Sequence, residues 1–141
     1  LKKQIDARGV NDSVFLTGMV PKETVGSYYQ LLDVFISASV SETQGLTYIE
    51  ALSNGRPVIA RRDEAITHVV KSGVNGYQYD APEECERVLL QLFSDAQLYE
   101  QWKNGAWESR EQFSKERFGE RVFSLYCEQL GNGFTDVSSK A

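Results

Sequence analysis

The sequence contains little of what metal sites, disulfide frameworks and histidine-based catalysis require. Its 141 residues include two cysteines, Cys85 and Cys127, and one histidine, His68. The cysteines fall in separate predicted helices, and neither has a partner at zinc-type spacing, so we expect two unbridged thiols and no metal site. A single histidine without a positioned companion gives no Ser/His/Asp or Cys/His triad. The sequence therefore offers no candidate residues for a metal site or for a catalytic triad.

Long apolar runs and an excess of basic residues are also missing. No apolar stretch approaches the ~20 residues that a transmembrane helix needs. The formal net charge is −5 at pH 7, which argues against nucleic acid or an anionic membrane as a direct partner of this chain. The basic doublet Arg61-Arg62 is expected to be solvated, although a position along a cleft stays open for it. The length and ordinary apolar content predict a domain with its own core.

Short apolar runs alternate with helical patterns along the first 80 residues. The predicted strands are 14–17, 33–37, 57–60 and 77–79. The predicted helices are 1–8, 22–32, 46–54 and 64–72. Gly55 and Gly73 follow the last two helices, where a left-handed residue commonly ends a helix. Strands alternating with helices indicate βαβ units, so the predicted fold class is α/β, a Rossmann-like parallel sheet flanked by helices.

The last third of the sequence changes to longer amphipathic helices. An apolar stripe from Cys85 to Phe93 indicates one helix, and 96–112 a second, with Trp102 and Trp107. Ser114 is the predicted N-cap of a third. We therefore predict three parts: an incomplete Rossmann-like domain over 1–112, a C-terminal helix over 113–130, and a flexible tail over 131–141.

The most informative stretch is 41–52, which follows the strand predicted over 33–37 and opens the next helix. Glu42 and Glu50 stand at the two ends of this stretch. Open α/β sheets bind ligands at the carboxyl ends of their strands, and unpaired amides at a helix N-terminus suit phosphate. Carboxylates beside such a site cannot bind phosphate, but they accept hydrogen bonds from the hydroxyls of a sugar or a ribose.

Glu50 shares a predicted helix face with Leu46 and Ile49, at the i, i+3, i+4 spacing. Because it continues an apolar stripe there, we expect its carboxylate to be half-buried and hydrogen-bonded. Spacing alone leaves an alternative open, in which Glu50 is an exposed helix residue beside an ordinary loop.

Together these residues resemble the C-terminal, donor-binding half of a GT-B glycosyltransferase, in the large retaining family built around a Glu–seven residues–Glu motif. Glu42 and Glu50 stand at that spacing, and 50–60 (EALSNGRPVIA) is similar to the family's helix and the Gly-x-Pro-Val-Ile sequence after it. The stretches 18–21 (GMVP) and 73–77 (GVNGY) resemble its base-side loop and its late Asn-Gly turn. The sequence of 41–52 (SETQGLTYIEAL) resembles that of the bacterial diacylglycerol glucosyltransferases that build membrane glycolipids.

The resemblance implies a role for each matching residue. Glu50 would bind the ribose hydroxyls of a nucleotide sugar. Glu42, the candidate catalytic residue, would hold hydroxyls of the transferred sugar. The other implied contacts are the amides of Gly45, Leu46 and Thr47 to the diphosphate, Met19 and Val20 to the base, and Gln44 to the sugar.

The implied reaction is the retaining transfer of a hexose from UDP-glucose, UDP-galactose or another nucleotide sugar, to an acceptor such as a membrane diacylglycerol lipid. No metal or other cofactor is expected, because relatives stabilise the leaving diphosphate with helix N-termini and with an upstream Arg and Lys that Arg61 and Arg62 do not match. The chain begins without Met and inside a predicted helix, so we expect a piece of a longer enzyme, inactive alone. The acceptor domain would precede it and make any membrane contact, on the inner face of the cell membrane; the enzyme would be cytoplasmic.

A second interpretation stays open, in which the chain is a non-catalytic Rossmann-like ligand-binding or interaction domain. Dinucleotide oxidoreduction is disfavoured because no G-x-G-x-x-G follows a strand. The enzyme interpretation requires Glu42 and Glu50 to lie beside a helix N-terminus whose amides are free. It also predicts that the last helix leaves some aromatic surface exposed, including Phe118 and Tyr126.

Overall fold

The computed structural model describes the backbone of residues 1–137 and the side chains of residues 1–130. The α-helices of this part are α1 Lys2–Arg8, α2 Val25–Leu31, α3 Leu46–Ser53, α4 Pro82–Ser94, α5 Ala96–Ser109 and α6 Lys115–Val137. The strands are β1 Phe35–Ser37, β2 Val58–Arg61 and β3 Gly76–Tyr79. Short 3-10 turns cover Asn11–Ser13, Lys22–Thr24, Glu64–Ile66 and Arg110–Phe113.

The three strands form one parallel sheet in the order β1-β2-β3. In the central strand, Ile59 pairs with Ile36 of β1 on one side and with Tyr77 of β3 on the other. Parallel neighbours require crossover connections, and α3 provides the one between β1 and β2. The predicted fold class, a parallel sheet flanked by helices, is confirmed.

The side chains of β2 alternate between two hydrophobic clusters, as the period of a strand requires. Val58 and Ala60 belong to the first cluster, and Ile59 belongs to the second. The first cluster also contains Tyr29, Tyr48, Ala51, Leu52, Ile66, Val69, Val70 and Ala106. The second also contains Tyr79, Val88, Leu92 and Trp102. Burying a large side chain contributes about 1.5–3 kcal/mol, so packing from both sides fixes the central strand.

The helices α4 and α5 begin where their sequences provide suitable ends. Pro82 lies in the first turn of α4, where its missing amide leaves no hydrogen bond unmade. The Asp95 carboxylate caps α5 by accepting hydrogen bonds from the amides of Gln97 and Leu98, each at 3.0 Å. Val88 and Leu92 of α4 and Trp102 of α5 then pack in the second cluster, whereas Ala106 of α5 packs in the first.

The strand predicted over 14–17 is wrong, since this segment lies in irregular coil. The side chain of Phe15 is 86% exposed there. Residues with β propensity form a strand only against a paired neighbour and a packed face. Within the described residues, no strand pairs with this segment.

The helix predicted over 64–72 is also wrong, because only the 3-10 turn Glu64–Ile66 forms there. The side chain of Asn75 takes the backbone groups that a longer helix would use. Its Oδ1 accepts a hydrogen bond from the Lys71 amide at 2.8 Å, and its Nδ2 donates to the Val69 carbonyl at 3.0 Å. A side chain that bonds nearby backbone in this way competes with helix formation.

Helix α6 begins as predicted and extends further than predicted. The Ser114 hydroxyl accepts a hydrogen bond from the Arg117 amide at 3.1 Å, which is an N-cap contact. The helix continues through Val137, so its predicted end at residue 130 is wrong, whereas the flexible tail over 131–141 stays a prediction. Residues 138–141 lie outside the described residues, and the domain division between 112 and 113 stays a prediction.

Much of the surface of α6 is apolar and exposed. Phe118 is 70% exposed and Tyr126 is 66% exposed, which confirms the expected aromatic surface on the last helix. Cys127 of this helix and Cys85 of α4 are free thiols, as predicted. Among the described residues, every helix is too short or too polar to cross a lipid bilayer.

Candidate functional site

The loop 38–45 leaves the carboxyl end of β1 and leads into α3. Ser37, the last residue of β1, has its side-chain oxygen 3.0 Å from the hydroxyl of Tyr48 on α3. Its carbonyl accepts a hydrogen bond from the hydroxyl of Tyr79 on β3 at 3.2 Å. These two contacts tie β1, β3 and α3 together at the edge of the sheet where open α/β folds bind ligands.

The N-terminus of α3 presents backbone amides that the protein itself does not use. The Gly45 carbonyl accepts hydrogen bonds from the amides of Tyr48 and Ile49, at 3.0 and 3.1 Å. No side chain caps this helix, and the amides of Leu46 and Thr47 donate to no acceptor in the described part of the protein. Free amides and the partial positive charge of a helix N-terminus together favour an anion at this place.

Gly45 is required by the sharp turn into α3. Its φ angle is 63°, in the left-handed region. A Cβ atom at this position would also lie 3.0 Å from Ile66 Cγ2 and 3.0 Å from Tyr48 Cδ2. A residue with a side chain in this conformation costs roughly 1–2 kcal/mol before any contact is counted. The glycine of the motif therefore lets the chain turn closely enough to expose the amides that follow.

Glu42 is half-buried in the loop before α3. Its Oε1 accepts a hydrogen bond from the Tyr48 hydroxyl at 3.2 Å, and its amide donates to Asp63 Oδ2 at 3.2 Å. Asp63 is fixed in turn, because its Oδ1 accepts from the Ala65 amide at 2.9 Å. Both the backbone and the side chain of Glu42 are thus held by neighbouring elements.

The Tyr48 hydroxyl is a suitable donor to Glu42. Burial raises the pKa of Tyr48; the hydrogen bond with Ser37 opposes that rise, and the nearby carboxylates of Glu42 and Asp63 add to it. The phenol of Tyr48 therefore stays protonated and donates a hydrogen bond to the carboxylate of Glu42.

Glu50 lies on α3 and is held by a second tyrosine. Its Oε2 accepts a hydrogen bond from the Tyr29 hydroxyl at 3.1 Å. The same hydroxyl lies 3.2 Å from the Thr47 carbonyl. Burial, followed by the hydrogen bond to Glu50 and its charge, raises the pKa of Tyr29 to about 12. Tyr29 is therefore protonated at neutral pH and donates to Glu50.

The expected half-burial of Glu50 is wrong, because this side chain is exposed. Leu46, which shares its face, is 61% exposed. The buried face of α3 instead carries Tyr48, Ala51 and Leu52, all with no exposed surface. The apolar stripe is rotated relative to the predicted one, and Glu50 finds its hydrogen-bond partner at the surface.

The two tyrosines belong to one aromatic cluster. The ring of Phe35 lies 5.7 Å from that of Tyr29 and 5.9 Å from that of Tyr48, measured between centroids. One cluster thus carries a hydroxyl for Glu50 and a hydroxyl for Glu42. Neither tyrosine was predicted from the sequence to lie at the site. The sequence signal for Tyr48 was its place inside the polar motif, whereas Tyr29 has only a helical spacing typical of core residues.

The two residues predicted to contact a base differ in their surroundings. The side chain of Met19 is fully exposed, and Val20 is partly buried. Val20 lines an apolar pocket of about 600 Å³ together with Phe15, Tyr29 and Phe35. The structure therefore places Val20 beside the aromatic cluster, while Met19 points to solvent. Gln44, the predicted sugar contact, is exposed in the loop before α3.

The basic doublet at the end of β2 divides into two environments. Arg61 is exposed, as expected. Arg62 donates through Nε to both carboxylate oxygens of Asp80, at 2.9 and 3.1 Å, and through Nη2 to the Gln78 carbonyl at 3.2 Å. Its guanidinium is therefore joined to the end of β3.

These features define the class of the protein. A parallel α/β sheet presents, at its carboxyl edge, a helix N-terminus with free amides and two carboxylates that tyrosines hold. This is the arrangement of a Rossmann-like domain with a helix N-terminus that suits an anion. The chain belongs to the family described as glycosyl transferases group 1, which it matches over residues 1–109.

Two curated relatives of the chain have the same enzyme name. The chain is 32% identical over 140 residues to the alpha-monoglucosyldiacylglycerol synthase of Acholeplasma laidlawii, covering 99% of this chain and 34% of that protein. It is 34% identical over 131 residues to the enzyme of the same name from Streptococcus pneumoniae, covering 92% of this chain and 29% of that protein. The chain thus spans about a third of the length of these relatives.

Solved structures agree on the fold. A structure of S. aureus TarM in complex with alpha-GlcNAc-glycerol and UDP matches with a TM-score of 0.76 and 26% identity, over 89% of this chain and 26% of that one. Sucrose-phosphate synthase from Thermosynechococcus elongatus matches with a TM-score of 0.79 and 20% identity, over 93% of this chain and 34% of that one. The fold is that of the C-terminal domain of GT-B glycosyltransferases, as predicted.

Proposed function

We propose that this chain is the donor-binding half of a retaining glycosyltransferase that moves a hexose from a nucleotide sugar to an acceptor. The observation that carries the proposal is the N-terminus of α3, where free amides of Leu46 and Thr47 lie between the motif glutamates Glu42 and Glu50. Membership of the glycosyl transferases group 1 family supports transferase chemistry.

The diphosphate of the donor would bind at the start of α3. It is the leaving group of the reaction, so negative charge builds up on its oxygens as the glycosidic bond breaks. Preorganised amides and a helix dipole stabilise such charge without rearranging during the reaction. The left-handed turn at Gly45, where a Cβ would crowd Ile66 and Tyr48, would leave the amides of Leu46 and Thr47 free to meet phosphate oxygens.

Glu50 would accept hydrogen bonds from the ribose hydroxyls. Tyr29 bonds its Oε2, and a carboxylate has further acceptor positions for a ligand. Val20 and the backbone near Met19 would lie along the base, because Val20 is already part of the apolar surface that includes Tyr29.

Glu42 would hold hydroxyls of the transferred hexose and is the proposed catalytic residue. Its carboxylate is fixed by Tyr48 and its backbone by Asp63, so it is preorganised for a ligand that changes shape in the transition state. Gln44, exposed in the same loop, would contact the sugar as well.

The names of the relatives support a finer assignment. Two are alpha-monoglucosyldiacylglycerol synthases, and the matching TarM structure contains UDP. We infer that the donor is UDP-glucose or UDP-galactose and the acceptor a membrane diacylglycerol lipid. The acceptor domain would belong to the same enzyme, which would be cytoplasmic, peripheral on the inner face of the membrane and active without metal or cofactor. The 141-residue chain alone would be inactive.

The test is a transfer assay on the complete enzyme. UDP-glucose, UDP-galactose, ADP-glucose and GDP-mannose are each offered with diacylglycerol in mixed micelles or with simple sugars as acceptors. We expect a UDP-hexose to yield a glycolipid whose anomeric configuration, read by nuclear magnetic resonance, is that of the donor, with the same rate in chelator. Transfer from none of these donors, or an inverted product, would contradict the proposal.

A further inference from the structure

We propose that Tyr29 is the positioning residue for Glu50, holding its carboxylate in the orientation that receives the donor ribose. The inference rests on the proposed function, because it assigns a partner to the residue that would bind the nucleoside. Tyr29 lies on α2, and its hydroxyl reaches a residue 21 positions later in the sequence.

The ring of Tyr29 is anchored in the core, and its hydroxyl lies at the edge of the core. The residue is 8% exposed, and its ring packs against Phe35 at 5.7 Å between centroids. Its hydroxyl is 3.1 Å from Glu50 Oε2 and 3.2 Å from the Thr47 carbonyl. One phenolic proton thus lies between two acceptors on successive turns of α3. A rigid group that meets a helix at two points fixes both the helix and the side chain.

Glu50 needs such a partner because of its position. It is exposed on α3, and a glutamate on a solvent-facing helix surface samples several rotamers. Within the described residues, no lysine or arginine forms a salt bridge with it. The Tyr29 hydroxyl is the contact that selects one orientation. It bonds Oε2 and leaves Oε1 for a ligand, so positioning and binding use different atoms of the carboxylate.

The direction of the hydrogen bond is settled by protonation. Burial and the neighbouring Glu50 raise the pKa of Tyr29 to about 12, so the phenol stays protonated at neutral pH and donates the hydrogen bond. Tyr29 would not touch the donor sugar. It would act through Glu50, which predicts an effect on nucleotide affinity and little effect on turnover.

The test compares Tyr29→Phe with Tyr77→Phe in the complete enzyme. Tyr77 on β3 also donates a hydrogen bond to a glutamate, Glu84, at 2.7 Å, and it packs against the second cluster, so its substitution controls for the loss of a tyrosine–glutamate hydrogen bond away from α3. We expect Tyr29→Phe to raise the Kd for UDP and the KM for the UDP-sugar about three- to tenfold, the effect of one hydrogen bond. The kcat should stay near the wild-type value, and Tyr77→Phe should change none of these constants.

A double-mutant cycle with Glu50→Ala separates positioning from a general structural role. In the Glu50→Ala background, Tyr29→Phe should cause no further loss of UDP affinity, because the group it positions is gone. Losses that add fully in the double variant, or a Tyr29→Phe enzyme with wild-type affinity and only a lower Tm, would overturn the inference. A failure of the proposed function gives a different result, since Glu50→Ala alone would then leave UDP affinity unchanged.

Discussion

Glu42 and Glu50 are each held by a tyrosine from the same aromatic cluster, yet their surroundings differ. Glu42 is half-buried, its partner Tyr48 is fully buried, and its backbone is tied to Asp63. Glu50 is exposed and depends on the single hydroxyl of Tyr29. The sugar end of the proposed site is therefore built as a rigid part of the core, and the nucleoside end as a surface carboxylate with one support. The two ends should respond differently to mutation.

The largest effect is expected from Glu42→Ala. The substitution removes a charged acceptor that would bond sugar hydroxyls in the transition state, and such hydrogen bonds contribute about 1.5–3 kcal/mol. We predict that kcat of the complete enzyme falls roughly ten- to a hundredfold, while the Kd for UDP, measured by calorimetry, stays near the wild-type value. An equal loss of affinity for UDP would place Glu42 at the nucleotide and remove the contrast with Glu50.

Glu50→Ala should show the opposite pattern with a somewhat smaller effect. It removes a carboxylate that would bind the ribose in both the ground state and the transition state. We predict a rise of about tenfold in the Kd for UDP and in the KM for the UDP-sugar, with kcat at saturating donor changed far less. Unchanged affinity for UDP would count against the ribose assignment.

Gly45→Ala tests the turn into α3, which lies between Glu42 and Glu50 in the sequence. Its φ of 63° and the close approach of Ile66 and Tyr48 should cost roughly 1–2 kcal/mol of unfolding free energy. Affinity for UDP should fall as well, because the amides that follow would shift. The measurement is urea unfolding, together with UDP binding.

Gly26→Ala is the matched control for that prediction. Gly26 lies within α2, and an added Cβ there meets no atom within 4 Å. Because alanine favours a helix over glycine, we expect unchanged or increased stability, by about 0.5–1 kcal/mol. A Gly45→Ala protein as stable as the Gly26→Ala protein would contradict the strained turn.

The smallest expected effect is a decline of stability in alkali that depends on Tyr29. The pKa of Tyr29 in the folded protein is raised to about 12 from 10.0, so the unfolded chain loses this proton first as pH rises. The contribution of Tyr29 to the free energy of unfolding is therefore complete below pH about 10 and is lost as pH rises through about 12. Unfolding by urea across this range should show a shallower decline for Tyr29→Phe than for the wild-type protein. Identical slopes for the two proteins would argue against the raised pKa.

Sequence reasoning predicted the elements that depend on local pattern. The strand leading to Ser37, the helix that starts at Leu46 and the turn at Gly55 follow from apolar runs and glycine positions, and all three form. The segment 14–17 failed because a strand also depends on a pairing partner. The segment 64–72 failed because the side chain of Asn75 binds the backbone there.

The residues that hold Glu42 and Glu50 in place could not be predicted from the sequence for a similar reason. Tyr29 and Glu50 are 21 residues apart, and Glu42 and Asp63 are also 21 residues apart. No spacing rule connects such pairs, because the packing of α2 and the loop after β2 against α3 brings them together. The motif glutamates are visible in the sequence, whereas the contacts that orient them are visible only in the fold.

A structure of the complete enzyme with a bound UDP-hexose tests the central claim most directly. We predict that diphosphate oxygens lie at hydrogen-bonding distance, about 3 Å, from the amides of Leu46 and Thr47. The ribose should contact Glu50 and the hexose should contact Glu42. A diphosphate bound away from the start of α3, with both glutamates free of the donor, would contradict the account.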